Sequence, residues 1–113
     1  MTKILFEAVC PLGCSMALDR DCWHGHILNK RYLRMQKERE KVRQTIEAPD
    51  LILENRRHGR INYLYWKEFP EIKAPDKWLK VATWLVDPKH QKGIVTTAHF
   101  AMFPKGGDVI WPK

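Results

Sequence analysis

This chain has no apolar run approaching the ~20 residues a membrane-spanning helix needs, which argues against a membrane partner. Its first ten residues, MTKILFEAVC, hold one Lys and a short apolar patch broken by Glu7. That is too short and too interrupted for a signal peptide, so the expectation is a cytoplasmic protein. Cysteine is scarce and odd in number: Cys10, Cys14 and Cys22 are three thiols, which excludes a complete disulfide framework. No G-x-S-x-G occurs, so a serine-hydrolase elbow is absent. No Gly-rich phosphate loop occurs either; Gly106-Gly107 reads as a turn, and no cofactor is expected. The carboxylates do not gather near the histidines, whereas a two-metal nuclease needs several converging Asp or Glu. Internal repeats and low-complexity linkers are also lacking, so residues 1–113 read as one domain.

What the chain does have is positive charge. Twenty Lys and Arg stand against 13 Asp and Glu, giving +7 and a pI near 9.5, which calls for a polyanionic partner. Nucleic acid is the first candidate, an acidic protein the second and an anionic membrane the third. Hydrophobic residues make up 44% and aromatics 11%, enough for a globular core. Five Trp in this length is high, and some must reach the surface, where indole serves as a contact platform.

Most of that charge lies in one segment. From Lys30 to Arg43 there are seven Lys or Arg against two Glu, a local net charge of +5, and His24 and His26 precede it. An imidazole moves protons near neutral pH, and fixed cations bind phosphate and stabilise developing negative charge. A solvated helix face with ordinary histidines is the plain alternative. The cysteines raise a metal alternative, since Cys10, Cys14 and Cys22 with His24 or His26 would make a Cys3His set. C-x3-C is a usual spacing but C-x7-C-x-H is not, and buried apolar thiols are the commoner explanation, so no metal site is expected.

The periodicity places these residues on elements. Ile4 to Val9 and Ser15 to Leu18 read as strands joined by the turn Pro11-Leu12-Gly13. Asp19 or Asp21 caps a short helix carrying Trp23, His26 and Ile27, and a second helix runs from about Leu33 to Ile46. Strands follow at Leu51 to Asn55, Ile61 to Phe69, Trp78 to Val86 (apolar and central), Ile94 to Phe103 and Val109 to Trp111. Short connections between them favour an antiparallel meander. The expected fold is therefore α+β: an N-terminal short hairpin and two helices packed on a curved antiparallel sheet of about four strands.

Strict alternation in Ile94 to Phe103 would put Val95, Thr97, His99 and Ala101 on one face, and Tyr63 and Tyr65 share a face of their own strand. A sheet face with a hydroxyl, an imidazole and tyrosines, covered at one end by a basic helix, would make an RNA cleft. Aromatics stack bases there and cations hold phosphates.

Several short motifs in order support such a reading. They are Pro11-Leu12-Gly13; Trp23, His26, Ile27 and Leu28; Val42, Thr45, Ile46, Pro49 and Asp50; Tyr63 and Tyr65; Thr97-Ala98-His99; and the ending Gly107 to Trp111. This order and spacing resembles the phage-associated branch of the barnase/EndoU/colicin/RelE-like nuclease group over nearly the whole chain. The resemblance implies a barnase/RelE-like fold of N-terminal helices on a four-stranded antiparallel sheet. It also implies metal-independent endoribonuclease activity, often as a toxin against tRNA or mRNA. His26 matches the group's helical histidine and Thr97 the threonine of its last strand, while His99 falls where that branch more often has Tyr. The group often has H-P-E soon after its H-I-L, and Arg31-Tyr32-Leu33 stands there instead.

The expected function is an endoribonuclease, with 2′-hydroxyl attack on the phosphodiester. His26 and His99 act as acid and base, Arg31 on the scissile phosphate and Thr97 as a hydrogen-bond donor. Arg34, Lys30, Lys37, Arg43 and Tyr65 hold the RNA. An acidic antitoxin or immunity protein is the expected protein partner. Two readings from other classes stay open: a non-catalytic RNA- or protein-binding module on the same scaffold, and a small zinc-stabilised domain.

Overall fold

The computed structural model describes residues 3–113, with the side chains of residues 31–33 outside that description. The chain opens with a hairpin, β1 (Ile4–Val9) and β2 (Ser15–Asp19). Its turn closes through Gly13 N–H to the Cys10 carbonyl at 2.9 Å, with Gly13 at φ +87°, a conformation glycine adopts without a Cβ penalty. The Asp19 carboxylate accepts from the Cys22 N–H at 2.6 Å and caps the first helical turn, α1 (Arg20–Cys22). A π-helical turn, Trp23–Ile27, leads into α2 (Leu28–Met35). After a break at residues 36–38 comes α3 (Arg39–Glu47). The second helix expected from Leu33 to Ile46 is thus two helices.

Six further segments complete the chain. These are β3 (Leu51–Arg57), β4 (Arg60–Glu68), β5 (Trp78–Asp87), a 3-10 turn (Pro88–His90), β6 (Lys92–Ala101) and β7 (Asp108–Trp111). All seven strands join one sheet in the order β1-β2-β6-β5-β4-β3-β7. The expectation of a four-stranded antiparallel sheet under two helices is overturned: the fold is mostly sheet, seven-stranded and mixed. Only the centre, β3 to β6, is an antiparallel meander. The hairpin docks through a parallel pairing of β2 with β6 that spans Ser15 to Ala17, and β7 crosses to the far edge to pair with β3. Neither pairing is local, so neither leaves a signal in neighbouring residues.

The helices cover one face. Val42 and Ile46 of α3 share a buried cluster with Ile52, Tyr65, Leu79, Val81 and Ala98 of the sheet. Each such side chain contributes about 1.5–3 kcal/mol when fully buried. The other face carries a smaller cluster, Leu53, Leu64 and Trp66, flanked by Trp78, Ala82 and Ala101. The segment from Met102 to Gly107 crosses this face on its way to β7. It is tied by Asn55 Nδ2 donating to the Gly106 carbonyl at 2.8 Å. A Cβ on Gly106 would meet Leu64 at 3.0 Å, so the backbone lies against the cluster. No helix among the described residues is long and apolar enough to cross a membrane.

Candidate nucleic-acid interface

The sheet register defines the site. Trp66 of β4 faces Lys80 of β5, and Lys80 faces His99 of β6. In the next row Leu64 faces Ala82, and Ala82 faces Thr97. Directly opposed residues point to the same side of a sheet. Thr97, His99, Lys80 and Trp66 therefore lie on the face away from the helices, the open face, although the crossing segment covers part of it and Trp66 is buried there.

The strict alternation expected for β6 is interrupted. Ala82 pairs with Thr97 but Thr83 pairs with Val95, leaving Thr96 as an extra residue, a β-bulge. Val95 consequently turns into the core with Thr83, while Thr97 and His99 keep their common face. The bulge is held from two sides. Thr96 Oγ1 donates to the Ala82 carbonyl at 3.1 Å, and the Cys22 thiol donates to the carbonyls of Val95 (3.2 Å) and Thr96 (3.6 Å). This contact sets the π-helical turn with His26 alongside β6. Trp23 and Ile27 of that turn are buried, and His26 is half-buried between them and solvent.

The tyrosines are not part of this face. Tyr63 pairs with Thr83 and Tyr65 with Val81, both on the helix side. Tyr65 is fully buried beside the Cys10 and Cys14 thiols, and burial raises its pKa. A ring in that position supports the core and does not reach an RNA strand, contrary to the expectation for Tyr65. The three cysteines are divided in the same way: Cys10 and Cys14 meet at the hairpin end, Cys22 against β6. No group of three or more His, Cys, Asp or Glu able to hold a metal ion occurs among the described residues.

Three of the basic residues in the segment from Lys30 to Arg43 are paired with carboxylates. Arg34 pairs with Asp76 at 2.9 Å, donates to the Asp76 carbonyl and stacks on Phe100 at 4.3 Å, tying α2 to the loop before β5. Arg43 pairs with Glu40 and Lys41 with Glu38. Lys30 is exposed on α2. Lys37 is exposed too, and lines an open hollow of about 590 Å³ shared with Glu40, Lys41, Lys67 and Glu71. Arg31 has its side chain outside the described residues.

The open face is different. Alternation along β3 and β4 puts Arg57 and Arg60 on it, and Lys105 joins from the crossing segment. Arg60 stacks on Trp84 at 4.1 Å and the Lys80 ammonium lies 5.9 Å from the Trp66 ring. None of Arg57, Arg60, Lys80 or Lys105 has a carboxylate partner among the described residues. Lys80 has its pKa lowered, first by burial and then by Arg57 and Lys105. Comparison with known protein families, curated proteins and solved structures finds no match for this chain.

The open-face cations escaped the reading of the sequence because they are scattered over 49 positions, from Arg57 to Lys105, rather than gathered in a run. One signal for them was present. In L-K-V-A-T-W-L the alternation that buries Leu79, Val81, Thr83 and Leu85 puts Lys80, Ala82 and Trp84 on the opposite side.

Proposed function

We propose that the protein is a metal-independent endoribonuclease that holds single-stranded RNA on the open face of its sheet. The observation that carries this reading is the common face of Thr97 and His99 in register with Lys80, among cations without carboxylate partners and beside the half-exposed Trp78 and Trp84. Cations supply the sequence-independent grip on phosphates, and indole rings supply stacking platforms for unpaired bases. The sequence resemblance to the phage-associated nuclease group points the same way, with His26 and Thr97 as its matching residues.

In the reaction a histidine takes the proton of the 2′-hydroxyl as the 2′-oxygen forms its bond to phosphorus. The bond from phosphorus to the 5′-oxygen breaks, and a second, protonated group gives its proton to that leaving oxygen. The products are a 2′,3′-cyclic phosphate and a free 5′-hydroxyl. His99 fills one of these roles on the open face, and the resemblance, not the geometry, gives the other to His26, whose turn packs Trp23 and Ile27 into the helix-side core; Thr97 donates to a phosphate oxygen, and the open-face cations offset the charge on the phosphorane. In a cytoplasmic toxin an acidic antitoxin would compete with RNA for the same cations.

The test is cleavage of a defined RNA by the purified protein with and without EDTA, with the end groups identified. Cleavage that survives EDTA and leaves a cyclic phosphate supports the proposal. Binding without cleavage would leave the non-catalytic RNA-binding module, the reading favoured by Arg31-Tyr32-Leu33 standing where the group has H-P-E.

A further inference from the structure

We propose that Cys10 and Cys14 are a modification site: a dithiol that a low-molecular-weight disulfide, such as oxidised glutathione, converts to an intramolecular disulfide across the end of the β1–β2 hairpin. The proposal rests on the hairpin alone and holds with or without the RNA function above.

The pairing of the two strands places the thiols together. The antiparallel register sets Ala8 against Met16 and Val9 against Ser15, so its next step sets Cys10 directly against Cys14. The Cys10 N–H donates to the Cys14 carbonyl at 2.9 Å and fixes that step. Only Pro11, Leu12 and Gly13 lie between the two cysteines. Directly opposed side chains leave the same face of a sheet, here the helix side, where Ala8 and Met16 are buried in the same cluster as both thiols. Opposed residues in a hydrogen-bonded antiparallel pair have Cα atoms about 5.5 Å apart. A disulfide accepts Cα separations of about 4.4–6.8 Å, so the folded backbone already meets the requirement.

Cys22 lies out of reach of this pair. Its thiol donates to the carbonyls of Val95 and Thr96 on β6. The parallel register sets Met16 against Gly93 and Ala17 against Ile94, so Val95 continues opposite Leu18. Leu18 is four residues along β2 from Cys14, about 13 Å at about 3.3 Å per residue. That is well beyond the span of a disulfide.

The exchange balances in two steps. One protein thiolate attacks a sulfur of the small disulfide; the S–S bond breaks, and one small thiol leaves with the bonding pair and takes up a proton. The second protein thiolate attacks the protein sulfur of the mixed disulfide, and the second small thiol leaves in the same way. Two protein thiols are oxidised and one small disulfide is reduced to two thiols. Burial pushes the Cys14 thiol up to about 11, so attack proceeds when the hairpin end opens. The exposed Pro11 and Gly13 put that opening at the surface.

The experiment is a redox titration of the full chain in glutathione buffers, folded and in urea, read by mass spectrometry after acid quenching and alkylation. In the folded chain a Cys10–Cys14 disulfide should form with loss of two hydrogens, and Cys22 should carry the alkyl label. Its equilibrium constant should be at least about tenfold higher than in urea, where the sequence spacing is the same but the strand register is lost. Cys22→Ala should leave that constant unchanged, and Cys14→Ser should form no intramolecular disulfide. A constant no higher in the folded chain than in urea, a disulfide that includes Cys22, or glutathione adducts without an internal bond would overturn the proposal. The comparison of folded and urea-unfolded wild type decides it even where a variant does not fold.

Discussion

His99 stands directly opposite Lys80 in the antiparallel pair of β5 and β6, on the face of the sheet that the helices leave open. A group able to move a proton and a fixed cation are thereby held on adjacent rigid strands. Neither depends on a loop for its position. That arrangement suits a reaction in which negative charge grows on a phosphate while a proton is transferred beside it.

If the pair acts in this way, removing the imidazole should affect rate more than binding. His99→Ala should lower kcat for RNA cleavage by on the order of 10²-fold or more, the usual scale for a general acid or base, with KM nearly unchanged. Thr97→Val keeps the shape and removes one hydrogen-bond donor, so the loss should be about 3- to 10-fold. Steady-state kinetics on a short RNA checks both. Equal activity of wild type and the His26→Ala, His99→Ala double variant, with the fold intact, would remove the catalytic assignment.

RNA binding should depend on the sheet cations more than on the helix cations. Arg43 is held by Glu40 at 2.6 Å, so Arg43→Gln frees a carboxylate as it removes a cation and should leave the salt slope nearly unchanged. Arg60 has no carboxylate partner among the described residues, so Arg60→Gln should reduce the log–log slope by about 0.7 and weaken binding at low salt. Fluorescence titrations across a salt series distinguish the two. The reverse ranking would return the interface to α2 and α3.

The contrast between Arg43 and Arg60 also marks how far the sequence could be read. A run such as Lys30 to Arg43 is conspicuous because it is contiguous, yet contiguity on a helix is what lets Glu38 and Glu40 neutralise their neighbours three residues away. The meander β3 to β6 was legible from period-2 alternation and tight turns such as His58-Gly59, both at positive φ. The bulge at Thr96 was not, because a one-residue shift depends on the partner strand. It reversed Val95 while sparing Thr97 and His99. The face shared by Tyr63 and Tyr65 was read correctly within β4 but assigned to the wrong side, since alternation in two separate strands does not say which faces coincide. That requires the register Tyr65 to Val81 and Lys80 to His99.

The central place of β5 gives a stability prediction. Val81 is fully buried between Tyr65 and Ala98 of the flanking strands. Val81→Asp buries a carboxylate with no partner and should unfold the domain, a loss of more than about 4 kcal/mol. Val81→Ala should cost about 1–3 kcal/mol and leave a folded protein. Circular dichroism melts of the two variants check this; a Val81→Asp protein melting like wild type would be incompatible with the described core.

Stability should also fall at alkaline pH, through the thiols. Cys14 has its pKa raised from 9.0 to about 11, by burial first and then by Cys10. Cys22 is likewise raised from 9.0 to about 11, by burial and then by Asp19. A group with a raised folded-state pKa holds its proton in the folded chain after the unfolded chain has lost it. The stability it contributes is full below pH 9.0 and is lost as pH rises from there through about 11. Tyr65, also raised by burial, extends the same trend. Lys80 works in the other direction. Its lowered folded-state pKa means the unfolded chain binds more protons, so its contribution improves as pH rises toward the ordinary Lys value of 10.5. Wild type alone therefore mixes opposite trends, and the informative quantity is the difference from a thiol variant. Cys14→Ser and Cys22→Ala should each show a shallower fall in urea midpoint between about pH 8.5 and pH 10.5 than wild type, while Lys80 contributes equally to both and cancels. The Cys22 variant should start lower, because its thiol no longer donates to the Val95 and Thr96 carbonyls at the bulge. Parallel curves for all three proteins would show that neither thiol titrates differently in the folded and unfolded chains.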